Sequence, residues 1–348
     1  MTTDKNSFLV AIHDQPDSYS GRWIEVCQER NIPFKIVNGF SKDIIQQLEG
    51  VDVILWHWSN REPPALMFAR SILAAAEAAG VAVYPNTPTC WHYDDKIAQW
   101  FLLNAVEAPT VDTFFFVDKK EAMNWIDNAS WPKVFKLKSG SGSRMVRLVE
   151  NAEKARGLCS QSFRSGFNPT EGLLNDAVLK LSALQTREKL TGFIKKLPKK
   201  FKNWRARRKM PREQGYLYFQ EFLADNKCDT RITVIGERAF AFRRHVRKND
   251  FRASGSGNID HDQDSIDIRC VEIAKDVAKK LKVQSIALDF ILDEAGDQQI
   301  VEISYAFQAE AVHNCPGYWD DEMQWQEGHV WPQDAILEDI LRKNGLSI

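Results

Sequence analysis

The chain has 348 residues, of which 44% are hydrophobic and 27% are charged, and its formal net charge is −1. This length supports two or three domains around a shared cleft, and the composition is typical of a soluble globular protein. The first residues do not resemble a secretory leader, no apolar run reaches the length of a membrane span, and six widely spaced cysteines lack a metal-binding spacing, so we expect a cytoplasmic protein with reduced thiols.

The first third of the chain alternates short apolar runs with patterns of helical period. Runs of strand length lie at 8–13, 34–37, 51–58 and 81–85, and helical patterns lie between them at 22–30, 42–48 and 64–79. This alternation predicts an open parallel sheet with helices on both faces over residues 1–94. Ligands of such sheets bind beyond the carboxyl ends of the strands, so His57 is a candidate for a substrate wall, although a histidine between two tryptophans is more often a packing residue.

A second unit is predicted from 95 to 215, and it begins with a helix that Asp95 and Lys96 open. A later strand of this unit contains Lys136. That strand ends in a run of small residues, Ser139, Gly140, Ser141 and Gly142. Small residues let backbone N–H groups approach an anion closely. Such a loop is often only a hairpin turn, but a lysine just before it favours a phosphate-binding loop.

The segment 151–214 interrupts this alternation, and its part from 195 to 212 holds ten basic residues and no acid. Apolar residues interleave with the basic ones, as in a basic amphipathic surface segment. Three interpretations stay open: a solvated insertion, peripheral attachment to anionic lipid at the inner face of a membrane, and a cover over a phosphorylated substrate. We expect no nucleic-acid partner, because no recognition helix, zinc pattern or aromatic sheet signature accompanies the charge.

The last unit is predicted over 216–348, where charged residues interrupt apolar strands. Two strands form a hairpin that turns at Gly236, and a later pair of strands contains Asp289 and Glu302. Antiparallel pairing brings both carboxylates to one face, where a divalent cation with oxygen ligands fits better than two uncompensated buried acids. Three arginines lie in and after the hairpin, Arg231, Arg243 and Arg252. Their planar guanidinium groups can donate paired hydrogen bonds to phosphate or carboxylate oxygens.

Seven features in this order resemble the ATP-grasp superfamily, and within it the branch of glutathione synthetase and the ribosomal-protein glutamate ligase. They are Asp95-Lys96, the Lys136 strand with its loop, Gln220-Glu221-Phe222-Leu223, Asp229-Thr230-Arg231 with Arg243, Asp250-Phe251-Arg252, Asp289, and Glu302. The resemblance covers about residues 8–305 apart from the insertion. It implies an α/β protein in which a Rossmann-like pre-ATP-grasp domain precedes a two-lobed α+β ATP-grasp domain, with lobe A over 95–215 and lobe B over 216–348.

The resemblance also implies a role for each matching position. ATP phosphates would be held by Lys96, Lys136 and the loop residues Ser139, Gly140, Ser141 and Gly142. The adenine edge would meet Glu221 and the backbone of Leu223, and Asp229 would face the nucleotide. Mg²⁺ or Mn²⁺ would be held by Asp289, Glu302 and Ser304, and the transferred phosphoryl group by Arg231, Arg243 and Arg252. Family enzymes phosphorylate a carboxylate with ATP, and an amine then attacks the acyl phosphate.

One departure concerns the metal ligands, because the family has an asparagine where this chain has Ser304. A serine hydroxyl is a shorter and poorer ligand, so either it coordinates weakly or through water, or Glu310 or Asn314 replaces it, or one metal site is degenerate. The leading expectation is an ATP-dependent carboxylate–amine ligase that acts on small molecules. Two alternatives stay open: a kinase of the same fold that phosphorylates a hydroxyl or an already phosphorylated acceptor, and a non-catalytic ATP-binding protein. A homodimer is among the assemblies left open.

The tryptophan-rich tail is similar to ATP-grasp proteins associated with bacterial surface polysaccharides. Trp56, Trp58 and Trp319 suit stacking on a sugar ring, although tryptophans also simply fill cores. These two features favour a ligase that couples an amino acid to a sugar carboxylate or to another precursor of a surface glycan.

Overall fold

The computed structural model describes residues 8–59, 62–140, 145–168, 211–247, 251–253 and 257–345. Three sheets organise this part of the chain: one parallel sheet and two antiparallel sheets. The mixed α/β architecture predicted from the sequence is confirmed. Most of the basic stretch at 195–212 lies outside the described residues, and so do Ser141, Gly142 and Asp250.

The first sheet is parallel, with strand order β2-β1-β3-β4. Its strands are β1 (Val10–His13), β2 (Phe34–Val37), β3 (Val53–Leu55) and β4 (Ala82–Tyr84). The connecting helices are α1 (Ser20–Glu29), α2 (Ile44–Gln47) and α3 (Pro63–Ala78), and α4 (Thr87–Cys90) follows β4. Strands β1 and β3 are buried along their whole length, as expected for a parallel sheet covered on both faces, which is why they read as continuous apolar runs.

The second sheet is antiparallel, with strand order β5-β8-β6-β7. Its strands are β5 (Thr113–Phe116), β6 (Lys133–Phe135), β7 (Arg147–Val149) and β8 (Leu217–Glu221). The helices of this unit are α5 (Lys96–Ala105), α6 (Lys119–Asn128) and α7 (Ala152–Arg164). Strand β8 follows the predicted boundary at 215 but pairs with β5 and β6, so the chain passes from the second sheet to the third between Glu221 and Cys228. The domain limits themselves stay a prediction.

The third sheet has strand order β13-β12-β9-β10-β14-β15, with β11 paired to β10. Its strands are β9 (Cys228–Ile235), β10 (Arg238–His245), β11 (Ile259–Asp260), β12 (Ser285–Leu292), β13 (Gln298–Ser304), β14 (Gly317–Trp319) and β15 (Trp325–Glu327). Its helices are α8 (Ile268–Leu281), α9 (Ala309–His313) and α10 (Pro332–Lys343). The hairpin predicted at Gly236 is confirmed: this glycine has φ +56°, and a Cβ here would collide with the Asp339 carboxylate unless that side chain moved.

Helix α10 joins the end of the described chain to the first sheet. The Arg22 guanidinium of α1 donates two hydrogen bonds to Asp334, at 2.8 and 2.7 Å, and the indole of Trp23 donates to the Gln333 carbonyl at 3.0 Å. One continuous core then contains apolar side chains of β1 and β3 together with those of α10. The first and third sheets are therefore held against each other by a shared core.

Trp56 and Trp58 are fully buried in a core cluster beside the first sheet, so the prediction that they stack on a sugar ring is wrong. Both indoles pack among other aromatic rings, Trp56 on His13 and Phe40 and Trp58 on Tyr93 and Tyr305. His57, between them, is also buried and stacks on Tyr19 with ring centroids 3.6 Å apart. Burial lowers its pKa to about 3, so the imidazole is neutral at ordinary pH and acts as a packing residue. Trp319 is 9% exposed and packs on Trp325.

Among the described residues, no helix combines the length and the apolar character that a membrane span requires.

Candidate functional site

An open cavity lies between the second and third sheets. Most of the predicted site residues line it, namely Lys96, Lys136, Gly140, Glu221, Leu223, Asp229, Arg252, Asp289 and Glu302. They come from both sheets and from the start of α5, so the fold brings together residues that are far apart in the sequence. Apolar side chains form much of the remaining wall, among them Val111, Val134, Phe222, Phe251 and Ile291, and Gln220, Asp225 and Asn226 also line it. The cavity thus combines apolar walls with a small number of convergent charges, as ligand sites usually do.

Lys96 lies at the first turn of α5, which Asp95 caps by accepting a hydrogen bond from the Ala98 amide. Its ammonium donates to the Gly140 carbonyl at 2.7 Å and lies 3.3 Å from a Glu302 oxygen. Burial lowers the pKa of Lys96, but nearby carboxylates, Glu302 first among them, outweigh it and leave the pKa above its ordinary value. This lysine is therefore a permanent positive charge next to the Ser139–Gly140 turn.

Lys136, one residue beyond the end of β6, is 6% exposed and donates to the Gln220 side chain. Burial is the main cause that lowers its pKa to about 8, with Lys96 as a second positive charge nearby. An anion in the cavity would restore the charged form, because an opposite charge favours the protonated ammonium. The two lysines make this end of the cavity suited to a polyanion.

Asp289 and Glu302 are direct cross-strand partners on β12 and β13, as their sequence pattern predicted. Their surroundings differ. Asp289 is 4% exposed and accepts two hydrogen bonds from Arg231, at 2.6 and 2.7 Å. The Glu302 side chain is 30% exposed and faces Lys96. The fold therefore offers one carboxylate that is already bound to arginine and one that is open to the cavity.

A ladder of alternating charges crosses three neighbouring strands of the third sheet. Arg244 donates to both oxygens of Asp229, at 2.7 and 2.6 Å, and its Nη2 also lies 2.7 Å from Asp289. Arg231 donates to both oxygens of Asp289. Burial acts to raise the pKa of Asp289, but Arg231 and Arg244 outweigh it and hold that pKa well below the ordinary value. Burial raises the pKa of Asp229 despite Arg244.

Arg244, which the sequence reasoning missed, joins this ladder, whereas the predicted Arg243 does not. Side chains alternate between the two faces of a strand, so these neighbouring arginines point to opposite sides. Arg243 pairs with Asp260 of β11 at 2.6 Å, away from Asp289. The strand register could have identified Arg244 from the sequence. In the hairpin, Arg238 pairs with Ile235, and counting residue by residue away from the turn places Arg244 opposite Asp229. Arg252 lines the cavity as predicted.

The opposite end of the cavity is shaped by the segment that follows β8. Glu221 is held by Lys133 at 2.6 Å, and the two residues are cross-strand partners of β8 and β6. Leu223 lines the cavity two residues later. The rings of Phe222 and Phe251 meet edge to face with centroids 5.7 Å apart. A flat apolar group fits between such walls better than a charged one.

The donor set fits a magnesium ion that takes further ligands from a bound phosphate, because Mg²⁺ is commonly held by one or two carboxylates plus substrate oxygens. Glu302 is the open carboxylate, and Asp289 shares its oxygens with two guanidinium groups. Ser304 does not add a ready ligand, since its hydroxyl exchanges hydrogen bonds with the Ala306 backbone. Within the described ranges, no group of three histidine, cysteine, aspartate or glutamate side chains is arranged to hold a metal without a ligand's help.

Comparisons with known proteins find solved structures of similar fold but no similar sequence. No protein-family model matches the chain, and no curated protein matches its sequence. The biotin carboxylase domain of the Hydrogenobacter thermophilus 2-oxoglutarate carboxylase, solved with MgADP, ADP and bicarbonate, is 13% identical, with a TM-score of 0.56 over 98% of this chain and 70% of that one.

Two other solved structures match nearly end to end. A RimK domain ATP-grasp protein from Sphaerobacter thermophilus is 13% identical, with a TM-score of 0.56 over 96% of this chain and 98% of that one. D-Cycloserine synthetase DcsG is 11% identical, with a TM-score of 0.55 over 95% of this chain and 99% of that one. Likeness at these identities concerns the fold, and the glutathione synthetase branch stays a prediction. The chain therefore has the fold of the ATP-grasp enzymes.

Proposed function

We propose that the protein is an ATP-dependent ligase that joins a carboxylate to an amine. The single observation that supports this most is the cavity between the two sheets, which places two buried lysines beside an open carboxylate and an arginine ladder. Phosphoryl transfer asks a protein mainly for positioning and for positive charge around the phosphate oxygens. The named similar structures include one solved with MgADP and one called a synthetase, which agrees with the proposal.

Each part of the cavity has a role in the proposed complex. The adenine would lie in the apolar end, with its edge toward Glu221 and the backbone of Leu223. Lys96 and Lys136 would bind the phosphates, and the turn at Ser139 and Gly140 would offer backbone N–H groups. Glu302 and Asp289 would hold the magnesium ion, which supplies positive charge to the phosphate oxygens when bound.

The chemistry has two steps that these residues support. An oxygen of the carboxylate substrate attacks the γ-phosphorus, ADP leaves, and an acyl phosphate forms. The amine nitrogen then attacks the acyl carbon, a proton leaves the nitrogen, and inorganic phosphate is released. Arg252, which lines the cavity, would neutralise charge on the transferred phosphoryl group, since a guanidinium group matches phosphate oxygens, while Arg231 and Arg244 would hold Asp289 in place beside it. Closure of the open cavity around its substrates would protect the acyl phosphate from water.

The substrate class belongs to the same proposal. Coupling of an amino acid to a sugar carboxylate of a surface glycan rests on the resemblance of the tail alone, because the buried tryptophans no longer support it. Peripheral contact of 195–212 with an anionic membrane, a cytoplasmic location and a homodimer stay predictions. Fractionation of a variant with Lys199, Lys200, Arg207 and Arg208 neutralised tests the membrane contact: unchanged fractionation contradicts it.

A screen of carboxylate and amine pairs tests the proposed reaction. We expect ADP formation that requires both substrates, with hydroxylamine in place of the amine trapping the acyl phosphate as a hydroxamate. Glu302→Gln serves as the negative control, because we expect it to form almost no ADP. Phosphate found on a hydroxyl of the product would select the kinase instead. Magnesium-dependent ATP binding without ADP under any pair would select a non-catalytic ATP-binding protein.

The lowered pKa of Lys136 gives a second prediction, on proton uptake. Before ATP binds, Lys136 has a pKa of about 8, so half of its ammonium groups are deprotonated at pH 8. The negative charge of a bound triphosphate would return this lysine to its protonated form. We expect ATP binding to take up about half a proton at pH 8 and almost none at pH 6.5. Affinity for ATP should fall as the pH rises above 8, since neutral Lys136 then predominates.

Calorimetry in buffers of different ionisation enthalpy measures this uptake. Lys136→Arg should abolish it, because arginine stays charged throughout this range. The matched control is Lys138→Arg, which changes a half-exposed lysine that lies 3.5 Å from Asp95 and should leave the uptake intact. Equal uptake in wild type and Lys136→Arg contradicts the assignment to Lys136.

A further inference from the structure

Glu213 lies at the point where the chain re-enters the described structure after residue 210. Its backbone forms an antiparallel bridge with Phe167, with N···O distances of 2.8 and 2.9 Å. Phe167 is fully buried and packs against the ring of Phe135, with centroids 5.2 Å apart. The backbone of Glu213 is therefore anchored to the core of the second sheet, directly beside the end of β6.

The side chain of Glu213 reaches the turn proposed to bind phosphate. Its carboxylate accepts hydrogen bonds from the Ser139 amide at 3.2 Å, from the Ser139 hydroxyl, and from the Tyr216 hydroxyl. The Tyr216 oxygen in turn accepts from the Lys138 amide at 2.7 Å. These contacts place a negative charge on the amide and hydroxyl that a phosphate oxygen would otherwise use.

A second carboxylate occupies the next amide of the same turn. The Gly140 N–H donates to Asp94 at 2.9 Å, and the Gly140 carbonyl accepts from Lys96 at 2.7 Å. Successive backbone N–H groups in a turn form a binding site for anions, and a carboxylate and a phosphate satisfy such a site in the same way. Two acidic side chains thus fill the anion site of the turn.

We propose that Glu213 is an internal competitor of the nucleotide phosphates at the Ser139–Gly140 turn. A triphosphate that binds Lys96 and the turn must displace this carboxylate or accept its negative charge nearby, and either costs affinity. Glu213 therefore weakens the binding of phosphorylated nucleotides without touching the adenine end of the cavity. The inference rests on the proposed function, because it needs a nucleotide in the cavity.

Binding constants for ATP and adenosine, measured by calorimetry with Mg²⁺ present, test this on the full chain. Glu213→Gln keeps the size of the side chain and one acceptor oxygen but removes its charge and replaces the second oxygen by an NH2 donor. We expect it to lower the Kd for ATP about tenfold at low salt, to lose most of that gain at high salt, and to leave the Kd for adenosine unchanged. An unchanged or raised Kd for ATP overturns the proposal, and a raised value would make Glu213 a positioning residue of the turn.

Two further variants keep the test decisive. Glu150→Gln removes an exposed carboxylate of the same unit, paired with Lys154, and should leave the Kd for ATP unchanged. Tyr216→Phe keeps the charge of Glu213 but removes one hydrogen bond that holds it, so a smaller decrease of the Kd, about twofold, is expected. If wild type binds ATP and neither Glu213→Gln nor Tyr216→Phe alters it, only this inference fails. If neither wild type nor Glu213→Gln binds ATP, the proposed function fails with it.

Discussion

Replacing Asp289 with alanine is expected to lower the free energy of unfolding by about 3–5 kcal/mol. The reason is the ladder on the third sheet, in which Asp289 is the shared partner of Arg231 and Arg244. Its removal takes away three ionic contacts, two to Arg231 and one to Arg244. The side chains of these arginines are only 17% and 9% exposed. A buried charge that loses its partner cannot recover hydration, so the cost exceeds that of an ordinary surface pair. Urea unfolding followed by circular dichroism measures it.

Asp260→Ala is the matched control on the opposite face of the same sheet. Asp260 also pairs with an arginine, Arg243, at 2.6 Å, but its side chain is 28% exposed. Water can replace the lost carboxylate there, so the expected loss is below about 1 kcal/mol. Equal losses in the two variants would contradict the argument from burial. Asp289→Asn, which keeps shape and part of the hydrogen bonding, should fall between them.

Glu302→Gln is expected to reduce amine-dependent ADP formation by about three orders of magnitude. The variant keeps the size of the side chain and removes the charge that would hold magnesium against the phosphates. It also breaks the 3.3 Å contact with Lys96, but that lysine still donates to the Gly140 carbonyl. Because Glu302 is partly exposed, we expect the folded state to persist, and a cooperative thermal transition checks this.

The control for this loss is Glu310→Gln. Glu310 is an exposed carboxylate in α9, and it was one candidate to replace the missing asparagine at the metal site. We expect its rate to match that of wild type. A comparable loss in both variants would move a metal ligand to Glu310, and full activity of Glu302→Gln would remove Glu302 from the reaction. Measurement of ADP release over a range of Mg²⁺ concentrations separates weaker binding from slower chemistry.

Short-range patterns in the sequence predicted most of the architecture. Continuous apolar runs predicted the parallel strands because both faces of that sheet are covered. The hairpin at Gly236 followed from turn chemistry, and the pairing of Asp289 with Glu302 followed from two strands joined by a tight turn. These features depend on neighbours in the sequence, so their physical causes are visible in it.

The residues that were missed or wrongly assigned are positioned by the face of a strand on which they lie or by contacts between distant segments. Arg243 and Arg244 are adjacent and chemically identical, and only the strand register decides which of them faces Asp289. Trp56 looks like a crevice residue until the fold covers it with Phe40 and His13. Glu213 carried no motif, because its partner Ser139 lies 74 residues earlier. No local pattern contains such information.

The packing of α10 against the first sheet has a consequence for synthesis on the ribosome. Ile336, Leu337 and Leu341 of this helix complete the core around Val10 and Val53, which are made hundreds of residues earlier. A nascent chain that has finished its opening strands must leave their apolar faces uncovered until α10 emerges. The amino-terminal unit therefore completes its core only after α10 has been made, and during elongation before that point the uncovered surface is a natural client for chaperones.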